Sequence, residues 1–130
     1  MALIKSFEEL DCWKVSRELR LDLSNLIKPF PKEEKFELVS QIRRASRSVT
    51  NNIAEGFGRY HYKEFIRFCR MSRGSLTELA DHLIIAHDED YITTDQLSCH
   101  RDKIAKAVVL INGFIKYLEK RNKDTGSSKK

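Results

Sequence analysis

Apolar residues return at intervals of three and four along most of this chain, the spacing that lines one face of a helix. Cys12, Ser16, Leu19, Leu23 and Leu26 form a first stripe. Leu38, Val39, Ile42, Ala45, Ser46, Val49 and Ile53 form a second. The third runs through Phe65, Phe68, Cys69, Ser72, Leu76, Leu79, Leu83 and Ala86. Leu97, Ile104, Val108, Ile111, Ile115 and Leu118 make the fourth. The chain carries no strand-like alternation of any length and no internal repeat.

Helix stop and start signals divide these stripes. Ser6 and Glu9 have the spacing of a capping box, Thr93 and Gln96 offer a second, and Thr94 is an alternative cap to Thr93. Pro29 and Pro31 end the first helix, because proline lacks an N–H and clashes with the preceding turn. Gly56 and Gly58 are expected to stop the second. The acidic run Asp88, Glu89, Asp90 closes the third. The pattern predicts helices over about 7–28, 33–55, 62–87 and 95–120. Short connections between helices of matched length imply an all-α, antiparallel up-down-up-down four-helix bundle. One domain over 1–121 is expected, followed by a flexible polar tail over 122–130.

Composition narrows the class. No run of apolar residues is long enough to span a membrane. The first residues acquire charge too quickly for a secretory signal, so a cytoplasmic protein is expected. Three widely spaced cysteines suit reduced thiols rather than a disulfide framework.

Charge is uneven. From Met1 to Gln41 there are seven basic and eight acidic residues; from Gly74 to Lys130 there are nine of each. Between Ile42 and Arg73 there are eight basic and two acidic residues, giving +6, and seven of the eight are Arg. Arg43, Arg44, Arg47, Arg59, Lys63, Arg67, Arg70 and Arg73 are therefore the candidate nucleic-acid-binding residues. Arg44 and Arg47 share the outward side of their helix with Ser40, Ser48 and Asn51, a face suited to carboxylates or phosphates. Tyr60, His61 and Tyr62 are nearby candidates for base stacking. The competing expectation is that these Arg pair with Glu55, Glu64, Glu78 or Asp81, inside the bundle or across a subunit contact.

Second apolar stripes point to self-association. Ile66, Thr77 and Ile84 lie beside an outward Gly74, and Leu110, Phe114 and Tyr117 lie off the main seam of the fourth helix. These seven are the candidate oligomer interface, against the plainer reading that the core is wider than one seam.

Catalysis has no recognisable frame. Glu78, Asp81 and His82 come nearest a di-iron carboxylate pattern, but the Glu-to-His spacing is four and no second copy exists. Cys99 beside His100 is no zinc pattern, and no phosphate loop or nucleophile elbow occurs. No cofactor, metal or small-molecule substrate is expected, and the chain is expected not to be an enzyme.

Four segments carry a resemblance: Phe7-Glu8-Glu9-Leu10 with Trp13; Gln41-Ile42-Arg43-Arg44-Ala45; Asn52-Ile53-Ala54-Glu55-Gly56-Phe57-Gly58-Arg59; and Gly74-Ser75 with Glu78-Leu79. With these the chain resembles the bacterial four-helix-bundle family encoded by intervening sequences in 23S rRNA genes, also labelled S23 ribosomal protein. The resemblance implies a homo-oligomer, a ring of five. It further implies distant kinship with the accessory protein of diversity-generating retroelements, a basic barrel that binds nucleic acid and a reverse transcriptase. It implies no catalytic activity. RNA or DNA, and further copies of the chain itself, are the partners expected.

Overall fold

Ser6 caps the first turn as its spacing with Glu9 predicts, the Glu8 N–H donating to Ser6 Oγ and the Ser6 N–H to Glu9 Oε2. That turn is only a 3-10 turn, Phe7–Glu9, because buried Leu10 takes an extended conformation. Helix α1 then runs Asp11–Leu26. It stops two residues short of the expected Lys28, which precedes Pro29 and is thereby pushed out of helical conformation. The computed structural model describes residues 4–129, with side chains described as far as residue 125; residues 1–3 of the expected domain and residue 130 of the expected tail lie outside the described residues.

The linker differs from the expected continuous second helix. Lys32–Glu34 forms a 3-10 turn, and α2 begins only at Leu38 and runs to Gly58. Glu34 bridges the break: one carboxylate oxygen accepts the Leu38 N–H at 3.3 Å, and the other accepts the Tyr91 hydroxyl at 2.7 Å.

The end of α2 also differs. Gly56 does not stop the helix; it lies buried inside it. A Cβ there would sit 2.7 Å from Phe65 Cδ1 and 2.9 Å from Phe68 Cβ, so the glycine is required by the close approach of the following helix. The turn itself falls on Tyr60, at φ 60°, the left-handed conformation usually given to glycine.

Helix α3 spans Tyr62–Asp88 and ends in a Schellman-type turn: Asp90 is left-handed at φ 63°, Asp90 N–H donates to His87 O, and Tyr91 N–H donates to Ala86 O. The Thr93–Gln96 capping box forms at the start of α4, with both reciprocal bonds made. Helix α4 runs Thr94–Lys129, through the segment expected to be a flexible tail. No proline intervenes there to break it.

All residues of the first three stripes are buried, and from the fourth Ile104, Ile111, Ile115 and Leu118 are buried, with Leu97 and Val108 half-buried. The fold is all-α, four long helices with no strand among the described residues. Neighbouring helices meet at residue pairs whose numbers rise along one helix as they fall along the other: Ser48 with Ser75 and Gly56 with Phe65; Arg70 with Glu119 and Arg73 with Asn112. Buried hydroxyls close the interfaces, Ser72 Oγ donating to the Val49 carbonyl at 2.7 Å and Arg20 Nη1 donating to Thr50 Oγ1 at 2.9 Å. At one end, Phe7 packs edge-on against Trp13 and Phe57, and Phe57 against Phe65, which meets Phe114 at 5.1 Å. Among the described residues no helix is long and apolar enough to cross a membrane.

Candidate nucleic-acid interface

The eight basic candidates do not form one surface. Arg43, Arg44 and Arg47 stand exposed on α2 and line an open groove of about 720 Å³ with Ser40, Ser48, Asn51 and Asn52. None of the three makes an ion pair among the described residues. The α2 segment from Leu38 to Ile53 holds no acid, so their charge is uncompensated along the helix itself.

The remaining Arg are engaged. Arg59 pairs with Glu55 at 3.3 Å and Arg67 with Glu64 at 2.8 Å, as the competing expectation anticipated. The Arg67 hydrogen bond holds the Glu64 carboxyl below the usual carboxylate range. Both guanidinium groups also lie over the Phe68 ring, at 5.3 and 4.6 Å from its centroid. Arg70 pairs across to Glu119 of α4 at 3.2 Å. Arg73, half-buried, donates to Asn112 Oδ1 at 2.6 Å. Among the described residues Glu78 pairs with none of these Arg and bonds instead to His82 Nε2 at 2.9 Å.

Exposed ion pairs contribute only about 0–1 kcal/mol, so such Arg can change partners. The pairs of Arg59, Arg67 and Arg70 are neutral, however, and a neutral pair attracts phosphate far less than a bare guanidinium; Arg73 keeps its charge against the Asn112 amide but is half-buried. The positive field therefore centres on Arg43, Arg44 and Arg47. Lys63, exposed and also without an ion pair among the described residues, lies apart in a shallower groove with Arg67, Arg70 and Glu119.

Tyr60 and His61 are exposed and Tyr62 half-buried, but they lie past the far end of α2, with Tyr62 opening α3. Tyr60 lies roughly 20 Å along the axis from Arg47 at 1.5 Å per residue. The aromatic residue that does line the Arg groove is Phe36, which is 84% exposed, with Lys35 Nζ 5.3 Å from its ring centroid. The stripe pattern missed it because it falls in the linker, ahead of the first core residue Leu38. Its signal was a large apolar side chain between Lys35 and Glu37, off the register of α2.

The seven interface candidates also separate. Ile66 is 6% exposed and belongs to the core, so it is removed from the outer stripe: α3 buries more than one seam. Gly74 and Thr77 are exposed, and Ile84 is half-buried. Leu110 and Phe114 are half-buried against the core, and with exposed Tyr117 and Val109 they line a second groove of about 570 Å³. Phe114 and Tyr117 stack at 5.8 Å.

No group of three or more His, Cys, Asp or Glu side chains is placed to hold a metal ion among the described residues. Buried His82 leaves its Nδ1 without a hydrogen-bond partner among the described residues, while His100 Nδ1 meets the Gln96 carbonyl at 2.8 Å.

No curated protein matches this chain. Among solved structures it is similar to the crystal structure of a protein of unknown function from the S23 ribosomal protein family of Bacteroides thetaiotaomicron VPI-5482. That match has 24% identity and a TM-score of 0.74, and covers 81% of this chain and 95% of that one. At that identity the likeness is one of fold alone. The model of the 23S rRNA-intervening sequence proteins matches residues 8–113. That match takes in the four sequence segments singled out above, save Phe7, and the chain belongs to the 23S rRNA-intervening sequence protein family.

Proposed function

We propose that this protein is a non-enzymatic RNA-binding protein of the cytoplasm: an antiparallel up-down-up-down bundle that assembles with copies of itself, in a ring of five, and holds RNA on the outer face of α2. One observation carries the reading. Arg43, Arg44 and Arg47 face an open groove with no carboxylate paired to them among the described residues. Guanidinium groups among Ser and Asn side chains suit phosphate oxygens, which accept from the Arg fork and from smaller donors alike. Such binding is driven by release of counterions and has little sequence preference. The opposite running of the cross-helix pairs supports the antiparallel reading, and the half-exposed Leu110–Phe114–Tyr117 stripe supports self-association.

The test is binding to RNA and to DNA oligonucleotides over a series of salt concentrations. Affinity that falls steeply with salt is expected. Absence of binding at low salt, or affinity indifferent to salt, overturns the reading.

A second reading is a structural or adaptor oligomer without a nucleic-acid ligand. It is favoured by the use of Arg59, Arg67, Arg70 and Arg73 within the chain. It predicts that Arg44→Ala or Arg47→Ala disrupts assembly; an unchanged mass by light scattering counts against it.

A further inference from the structure

A large aromatic ring at 84% exposure is unusual, although single surface apolar residues need no explanation by themselves. What singles out Phe36 is its company. It shares one groove with the three Arg of α2 that make no ion pair among the described residues, and with Met71, which is 47% exposed. An apolar ring and a thioether are thus set among the cations that would meet a phosphate chain. The backbone places the ring there: the 3-10 turn ends at Glu34, α2 starts at Leu38, and Leu38 and Val39 take the core positions. Phe36 is left on the outside.

A duplex makes poor use of such a groove. Its bases are stacked on one another, and it offers a protein chiefly phosphates, sugars and shape. A single strand uses both parts, because its unpaired bases stack on aromatic side chains while its phosphates run along the basic groove. The geometry points to single-stranded nucleic acid as the ligand class of this face, with Phe36 as the platform on which a base stacks and Arg43, Arg44 and Arg47 neutralising the flanking phosphates. This inference rests on the RNA-binding reading above and adds to it the strandedness of the ligand and the residue that selects it. Lys35, over the same ring, adds a further cation beside the stacked base.

The experiment compares a labelled, unstructured RNA of about 12 nucleotides with a duplex of the same length, at about 50 mM salt and above. Wild type, Phe36→Ala, Phe36→Trp and the triple Arg43→Ala/Arg44→Ala/Arg47→Ala variant are followed by fluorescence anisotropy. The wild type is expected to prefer the single strand. Phe36→Ala is expected to weaken single-strand binding roughly 5- to 150-fold while sparing duplex binding and the salt slope. Phe36→Trp is expected to retain binding and to show quenched Trp emission when RNA is added. The triple Arg variant is expected to weaken both ligands. Salt-dependent binding that favours duplex, or that ignores Phe36→Ala, overturns this inference and leaves the RNA-binding reading standing. Absence of salt-dependent binding to either ligand removes both. A drop in oligomer mass for Phe36→Ala, with RNA affinity per subunit unchanged, assigns the ring to a contact between copies and also overturns the inference.

Discussion

Gly56 of α2 packs against Phe65 of α3 with no room for a side chain: a Cβ on the glycine would lie 2.7 Å from the ring. A methyl group there must push apart two helices at a crowded end of the core. Such overpacking costs about 1–3 kcal/mol, against at most about 1 kcal/mol gained from alanine's helix propensity. Gly56→Ala is therefore expected to lower the thermal midpoint. Gly74→Ala is the opposite case, since nothing lies within 4 Å of its added Cβ, and it is expected to stabilise by up to about 1 kcal/mol. Thermal melts of both variants check the signs. A loss of stability or oligomer mass in Gly74→Ala would place another chain against that glycine.

The three thiols should react at different rates. Burial pushes Cys12 and Cys69 up to about 12, whereas Cys99 is exposed. Reaction needs both thiolate and access. An aromatic disulfide reagent at neutral to mildly alkaline pH is expected to titrate one thiol quickly in the folded protein, and the other two only on unfolding. Rapid reaction of all three would contradict the core placement of Cys12 and Cys69.

Tyr91 and Glu34 give a pH signature. The hydrogen bond to Glu34 pushes the Tyr91 hydroxyl from 10.0 to about 12. A group whose folded pKa is raised stabilises fully below its unfolded value and loses that contribution as pH rises through the folded one. The bond should therefore hold the α3–α4 turn to the α2 linker below about pH 10 and release it towards about pH 12. Tyr91→Phe is expected to melt below the wild type at about pH 9, with the gap closing as pH rises. A gap that is constant with pH would show that Tyr91 contributes packing alone.

Much of the fold was legible because burial imposes period on sequence. Ile42, Val49 and Ile53 recur on one face because that face must leave water, and each is fully or almost fully buried. Capping boxes were legible because reciprocal hydrogen bonds fix a spacing of three. Gly56 was misread as a stop, since a local rule about helix ends cannot see the phenyl ring that a later helix brings against it. Ile66 was an interface candidate on a second stripe, with a wider core as the alternative; α3, which packs against both α2 and α4, buries it in that wider core.

The interface was only half legible. An excess of eight basic over two acidic residues between Ile42 and Arg73 is visible in the sequence, but which acids reach them is a property of the packing. Arg70 meets Glu119, forty-nine positions away, a pairing that no local spacing announces. Arg43, Arg44 and Arg47 were distinguishable in principle, because no acid occurs from Leu38 to Ile53.

The central claim is that these three Arg, rather than the paired Arg59 and Arg67, meet the phosphates. Its most direct test is the salt dependence of single-stranded RNA affinity in the wild type, in Arg43→Ala/Arg44→Ala/Arg47→Ala and in Arg59→Ala/Arg67→Ala. Each phosphate contact contributes about 0.7 to the slope of log affinity against log salt, so losing three should flatten it by about 2. The account predicts that flattening in the α2 variant and a slope close to wild type in the other. A slope unchanged in the α2 variant, with the loss appearing in Arg59→Ala/Arg67→Ala, would contradict it.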